Sequence, residues 1–293
     1  MDASRPPNPL FVWVRDAARR LASIHAGNPR LEAEYLMAAA LGVPRIRLWM
    51  IDDPPDPPAI ERFEALLARR LAREPLQYVL GTAEFAGLEI EVGPGVFIPR
   101  SETEVLVEQV ARRLGSRGGS GARRPVLADV GTGSGAILLA LLARLPGWEG
   151  IGLDLSEAAL AFARRNAARS GLSGRARLLR SDLLASIAPG ARLDAIVSNP
   201  PYIREDERES LSPEIAAHEP QLALFAGADG LDAIRRLIPQ AAERLEPGGF
   251  LALEIGITQG DAVAALLAGR AWRDVRVDPD LTGRPRVLLA TRR

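Results

Sequence analysis

Apolar residues recur three or four positions apart over Leu10 to Ile24, with Arg15, Arg19 and Arg20 among them, and again over Leu31 to Leu41 and Ala59 to Arg73. This spacing predicts three amphipathic helices. Asn28-Pro29 separates the first two, Gly42-Val43-Pro44 stops the second, and Asp52 to Pro58 reads as a stiff proline-rich connector after a short piece from Arg45 to Ile51. From residue 76 to 98 the pattern changes to short alternating runs broken at Gly87 and at Gly93 to Gly95, which predicts a β-hairpin. Ser101, with Glu104 three residues on, reads as a capping box opening a helix. If the hairpin packs over a cleft, Phe97 and Arg100 lie near it. Ser116 to Arg124 is mostly Gly, Ser and Arg and reads as a flexible loop.

Beyond it, short apolar runs alternate with helical patterns. Strands are predicted at Pro125 to Val130, Gly150 to Asp154, Ala176 to Leu183, Asp194 to Ser198 and Gly248 to Ile255. Helices are predicted at Ala136 to Arg144, Leu231 to Leu245 and Gln259 to Leu267. Val275 to Val277 and Val287 to Ala290 read as a closing strand pair. Such alternation implies an α/β fold with a doubly wound, mainly parallel sheet and ligands at the carboxyl ends of its strands. The expected organisation is a helical domain over 1–80, a hairpin linker over 81–98 and the α/β domain over 99–293.

Composition narrows the chemistry. The 293 residues carry 37 basic and 37 acidic side chains, and every basic one is Arg. A formal net charge of zero argues against a strongly basic nucleic-acid binder. There is no Cys, which excludes disulfides, thiolate metal sites and Cys nucleophiles. With His25 and His218 alone, no metal site is expected. No apolar stretch approaches the length of a bilayer span and the N-terminus has no signal-peptide pattern, so a cytoplasmic protein is expected.

Two stretches carry chemistry. In Gly131-Thr132-Gly133-Ser134-Gly135 a glycine turn joins a strand to a helix, where backbone must bend tightly and approach a ligand. Asp154 ends the next strand where a ribose hydroxyl pair binds, and NAD and S-adenosylmethionine would both use it. Asp129, before the glycines, can answer the cationic amino-acid end of S-adenosylmethionine directly or through water. Asp182 can accept the exocyclic amine of adenine, with Leu183 packing on the ring. Asp129 and Asp154 could instead simply cap helices.

The second stretch is Ser198-Asn199-Pro200-Pro201-Tyr202. Two prolines end a buried strand abruptly and stiffen what precedes them. An amide side chain, a backbone carbonyl without a sheet partner and an aromatic ring are thereby held at the mouth of the sheet. That suits a planar group carrying an NH2, although Asn-Pro alone is more often a plain turn. A long polar loop, Ile203 to Pro220, follows; it is either a lid or partner-facing rim, or a solvated acidic segment.

These residues resemble the class I S-adenosylmethionine-dependent methyltransferases and, within them, the release-factor glutamine methyltransferases of HemK/PrmC type. Arg73 to Tyr78, Glu84 to Leu88, Phe97 to Glu104, Asp129 to Gly135, Ser198 to Tyr202, Glu219-Pro220 and Asp229 to Leu231 carry the likeness, nearly the whole length of the chain. Ser101 departs from the usual Pro, and Leu183 from the Trp of some members. The resemblance implies a Rossmann-like, seven-stranded sheet. It implies that Asp129, Gly131, Thr132, Gly133, Ser134, Gly135, Asp154, Asp182, Leu183 and Asn199 bind S-adenosylmethionine, which leaves as S-adenosylhomocysteine. Asn199, Pro200, Pro201 and Tyr202 would hold the substrate glutamine, with Asn199, Pro200 and Tyr202 as the catalytic set. The partner implied is a peptide chain release factor, recognised with help from the helical domain; a monomer is expected. Two alternatives stay open: a methyltransferase for exocyclic amines of DNA or RNA bases, which uses the same Pro-Pro-Tyr logic, and a non-catalytic S-adenosylmethionine-binding scaffold. A dehydrogenase would leave Asn199 to Tyr202 unexplained.

Overall fold

The computed structural model describes residues 10–115, 123–188 and 190–293. Residues 116–122 of the predicted flexible loop lie outside them. The chain divides into two units: residues 1–82 with 213–218, and residues 83–212 with 219–293.

The first unit is helical. Its elements are α1 (Leu10–Ala22), α2 (Pro29–Leu41), a 3-10 turn (Arg45–Met50), α3 (Pro57–Leu71) and α4 (Leu76–Leu80). Asn28 and Asp56 cap α2 and α3 by accepting Leu31 N–H (3.1 Å) and Ala59 N–H (2.8 Å), each followed by a proline preset for the first turn. Leu10, Val14, Ala17 and Leu21 form the buried stripe of α1 and meet Leu36, Met37, Phe63 and Leu67. Leu76 to Leu80, expected to lead into the hairpin, is a helical turn ended by Gly81.

The hairpin β1 (Thr82–Phe85) and β2 (Leu88–Glu91) opens the second unit from Ala83 on. Ala86 and Gly87, both at positive φ, make its two-residue turn, as a type I′ hairpin requires. Val96 to Ile98 is not a strand. The capping box is also a correction. Ser101–Thr103 is a 3-10 turn without a side-chain cap, and α5 starts at Glu104 and runs to Gly115. Glu104 instead accepts the hairpin's Ala86 N–H at 2.9 Å, a longer-range bond that outcompetes the local cap.

The sheet then forms from β3 (Val126–Val130), β4 (Glu149–Asp154), β5 (Ala176–Arg180), β6 (Leu193–Ser198), β7 (Leu245–Glu254), β8 (Trp272–Pro279) and β9 (Pro285–Arg292). Their order is β5-β4-β3-β6-β7-β9-β8; all pairs are parallel except those made by β9. The expected seven-stranded α/β sheet is therefore what forms. Between strands lie α6 (Ala136–Arg144), α7 (Glu157–Arg169), α8 (Pro213–His218), α9 (Asp232–Arg244) and α10 (Gly260–Leu266); the sequence pattern did not single out α7. Ala128, Val130, Leu153, Ile196 and Leu251 line one sheet face beneath α9 and α10, whose Ile234, Leu237 and Val263 are fully buried. The stretch 203–220, expected as an irregular loop, contains a 3-10 helix (Glu205–Ser210) and α8, which counts with the first unit.

Candidate active site

Strand register decides which residues meet. Val130 lies beside Leu153 on one side and Ser198 on the other. The glycine loop after Val130, Asp154 after Leu153 and Asn199 after Ser198 therefore emerge together at one sheet edge. Ser198 Oγ donates to Val130 O at 2.6 Å and fixes that alignment. A cavity of about 290 Å³ opens there. Gly131 to Ser134, Asp154, Asp182-Leu183 and Asn199 to Tyr202 all line it.

The glycine loop is folded back on β4. Gly131 and Thr132 N–H both donate to Leu153 O, at 2.8 and 2.9 Å. Gly131, Gly133 and Gly135 all have positive φ, which is where a side chain would strain the turn. Asp154 accepts Gly133 N–H on Oδ2 and Ser156 N–H on Oδ1, both at 2.8 Å. Burial pushes its pKa up against those bonds, and each oxygen keeps a lone pair for a further donor.

Two expected cofactor residues stand off the cavity wall. Asp129 is fully buried behind the loop, because the residue before a strand's last position points into the layer of α6. Its Oδ2 accepts Thr132 Oγ1–H (2.7 Å) and Leu138 N–H (3.2 Å), while Oδ1 has no partner. Burial raises its pKa to about 7, opposed by those two bonds. Gly135 does not line the cavity either; it starts α6 under Ala163 and Leu139, and a Cβ there would come within 3.3 Å of both.

Asp182 lines the cavity but does not face it alone. Its Oδ2 is paired with Arg236 Nη2 at 2.6 Å, and Arg236, on α9, lines the same cavity. Leu183 takes a left-handed backbone (φ 51°), sparsely populated for a branched residue and a mark of functional sites.

Asn199 to Tyr202 are held from three sides. Asn199 Nδ2 donates to Thr103 Oγ1 at 3.2 Å. Among the described residues, neither Asn199 Oδ1 nor the Pro200 carbonyl has a hydrogen-bond partner. Tyr202 Oη donates to Glu254 Oε1 at 3.5 Å. Burial first, then the Glu254 carboxylate, lifts the Tyr202 pKa to about 12. The Tyr202 carbonyl accepts Gln259 Nε2–H at 3.0 Å, and Gln259 also reaches Gly230 O at 3.2 Å.

Sequence reasoning missed Thr103, Arg236, Glu254, Gln259 and Asn166. Asn166, buried on α7, bridges the hairpin to the glycine loop by donating to Glu91 O (3.0 Å) and Ser134 O (2.9 Å). Only Glu254 left a signal, an acid ending an apolar strand as Asp154 does. Phe97 and Pro99 line the cavity as the linker passes it. Arg100, without a derivable role, ion-pairs with the buried Glu219 and lies over the Phe97 ring, 4.6 Å from its centre. Among the described residues no helix is long and apolar enough to cross a membrane.

Comparison with known proteins agrees with this geometry. Residues 90–221 match the methyltransferase small domain family. A Thermus thermophilus 16S rRNA N2 G1207 methyltransferase (RsmC), solved with AdoMet and guanosine, superposes with a TM-score of 0.52 and 24% identity, over 72% of this chain and 50% of that one. At that identity the likeness is one of fold. Sheet order, glycine loop and family match together define a methyltransferase of the class I, Rossmann-like architecture.

Residues 13–81 match the PrmC N-terminal domain family. A release factor glutamine methyltransferase of Moorella thermoacetica is 46% identical over 280 residues, 95% of this chain and 96% of its own. That of Mycolicibacterium smegmatis is 44% identical over 285 residues, 97% and 98% of the two chains. The chain belongs to the release factor glutamine methyltransferase family.

Proposed function

We propose that this chain transfers a methyl group from S-adenosylmethionine to the side-chain amide nitrogen of the glutamine in the Gly-Gly-Gln motif of peptide chain release factors. One observation carries the reading. The amide nitrogen of Asn199 is already engaged by Thr103, which leaves Oδ1 and the adjacent Pro200 carbonyl as free acceptors. Two acceptors side by side match the two N–H groups of a primary carboxamide. Near full-length likeness to release factor glutamine methyltransferases supports the substrate class.

The residues fit the methyl donor. Asp154 suits ribose hydroxyls; Asp182, shared with Arg236, suits an adenine amine, with Leu183 against the ring. The unpartnered Oδ1 of Asp129 suits an ammonium group reached through water behind Gly131 to Gly135. S-adenosylmethionine supplies an electrophilic methyl on sulfonium and leaves as S-adenosylhomocysteine.

An amide nitrogen is a poor nucleophile because its lone pair is delocalised. Asn199 and Pro200 accept its two hydrogens, and Tyr202 packs on the amide plane. Orientation of this kind contributes several kcal/mol, up to about ten in favourable systems. The nitrogen becomes acidic only as it is methylated, so no strong base is needed at attack. Tyr202, with its pKa near 12, stays protonated and acts by packing. Residues 1–80 help recognise the release factor, and the enzyme works as a cytoplasmic monomer.

The test is methyl transfer from labelled S-adenosylmethionine to a purified release factor, beside its Gly-Gly-Ala variant and total RNA and DNA. Label on the wild-type factor alone is expected; label on nucleic acid would replace this reading with base methylation. Asn199→Ala is expected to lower kcat by about 100-fold or more with the fold intact. Near-normal turnover in that variant would sink the proposed role.

A further inference from the structure

Arg236 is a cation in the cavity wall to which the reaction above gives no task of its own. It stands on α9, whose Ile234, Leu237 and Ala241 are fully buried against the sheet, so its mount is rigid. Ala233, three residues earlier on the same helix face, lines the cavity too. The neighbouring Arg235 pairs with Asp229 and Asp232. Arg236 Nη2 instead donates to Asp182 Oδ2 at 2.6 Å, across 54 positions of sequence.

The segment that Arg236 reaches is a strained turn. Leu183 follows Asp182 at φ 51°, a conformation that a branched residue keeps only where its surroundings fix it. Helix α9 supplies a bond on either side of it. Arg236 holds the Asp182 side chain before it, and Gln240 Oε1, one turn further along α9, accepts the Leu184 N–H after it at 3.0 Å. Within the turn, Ala185 N–H donates to Asp182 O at 3.1 Å and Ser186 N–H to Ser181 Oγ at 3.0 Å. Those bonds hold the backbone; the Asp182 carboxylate is held by Arg236.

Counting oxygens gives the consequence. An ionised carboxylate only accepts, and a guanidinium only donates. With Oδ2 taken by Arg236, Oδ1 is the atom left for a further donor, and among the described residues it has no hydrogen-bond partner. Both side chains are about half exposed, and pairs of that kind add little to stability. What the pair does supply is orientation.

We propose that Arg236 is a positioning residue for the methyl donor: from α9 it fixes the Asp182 carboxylate with Oδ1 toward the cavity, where that oxygen accepts the exocyclic amine of adenine. Leu183, held in the same turn, gives the ring an apolar edge. This role rests on the methyl-donor reading above.

The test is titration calorimetry of the full chain with S-adenosylhomocysteine, beside thermal melting of each variant without ligand. Arg236→Met keeps an unbranched stem and removes the guanidinium. Its Kd for S-adenosylhomocysteine is expected to rise about three- to tenfold, as weakening one hydrogen bond does. Its melting temperature should stay within about 3 °C of the unaltered chain. Asp182→Ala should raise Kd by about tenfold. Adding Arg236→Met to Asp182→Ala should cost less than about a further twofold, because Arg236 acts through Asp182. Arg236→Lys should recover Kd to within about twofold, since the contact is a single one that an ammonium can also make. An unchanged Kd in Arg236→Met overturns the role, as do losses that multiply in the double variant or an equal loss in Arg236→Lys. A melting temperature lowered further than expected in Arg236→Met also overturns it, because the pair would then be holding the fold. Failure of the unaltered chain to bind S-adenosylhomocysteine would instead overturn the methyl-donor reading, and this role with it.

Discussion

Asp129 illustrates how one side chain couples the fold to pH. Its carboxyl is fully buried, and burial raises the pKa from 3.8 to about 7 in the folded chain. Between those values the unfolded chain has released its proton while the folded chain keeps it. The folded state then binds more protons, so stability falls as pH rises from about 4 to about 7, and levels off above. Asp129→Asn keeps an acceptor for Thr132 and Leu138 but has no proton to lose. Relative to this variant, the unaltered protein is expected to lose up to about 4 kcal/mol across that window. Urea unfolding from pH 4 to 7.5 checks it, and parallel stability curves would show that Asp129 titrates alike in both states. Asp154, Glu219 and Glu254 are also raised by burial, so the difference between the two proteins, rather than either curve alone, isolates Asp129.

At the scale of elements, the Asn199 to Tyr202 segment is held by contacts from residues far along the chain. Gly230 sits at φ +72°, and a Cβ there would lie 2.2 Å from the Tyr202 carbonyl oxygen. Gly230→Ala must therefore push that carbonyl away and break its bond with Gln259. We expect about 2–4 kcal/mol of destabilisation, together with a fall in kcat. Thermal melting and single-turnover methyl transfer test both; an unchanged kcat would separate the segment's anchoring from its chemistry. This arrangement explains what could be read from sequence. The strand Val126 to Val130, the glycine loop and helix Ala136 to Arg144 were legible because their pattern is local, and the helix has the expected bounds. Asn199 to Tyr202 was legible because two prolines declare a rigid strand end. Gln259, Thr103 and Asn166 were not, because each holds a residue more than 30 positions away. Glu104 was misread for the same reason: a cap is local chemistry, and the hairpin N–H that it accepts is not.

For the whole molecule, the informative feature is the path of the chain after the active segment. It leaves the second unit at Ser212, contributes Pro213–His218 to the first, and returns at Glu219. In sequence this looked like one acidic loop, since neutral totals and alternating charges do not reveal which acids find partners. The structure separates them. Glu205 pairs with Arg208 in the open, both about half exposed, and exposed pairs contribute roughly 0–1 kcal/mol. Glu214 meets Arg70, whose side chain is 6% exposed, at 3.3 Å and Arg73 at 3.2 Å. Burial alone would raise the Glu214 pKa, but its backbone hydrogen bond and the two arginines outweigh that and bring it below 4.5. Its contribution is thus present above the unfolded value and lost as pH falls through the lower folded one. Glu214→Gln leaves Arg70 buried with Glu32 as its remaining acid, and breaking such a pair costs a few kcal/mol at most, about 1–3 here. The expected result at pH 7 is a melting temperature lower by about 2–8 °C and faster proteolytic cleavage within 203–220, with Glu205→Gln unchanged in both. Once pH has fallen through the lowered folded value, the gap between Glu214→Gln and the unaltered protein should close, because the acid is then protonated in both states. A gap that persists there would mean that Glu214 holds the segment through shape rather than charge.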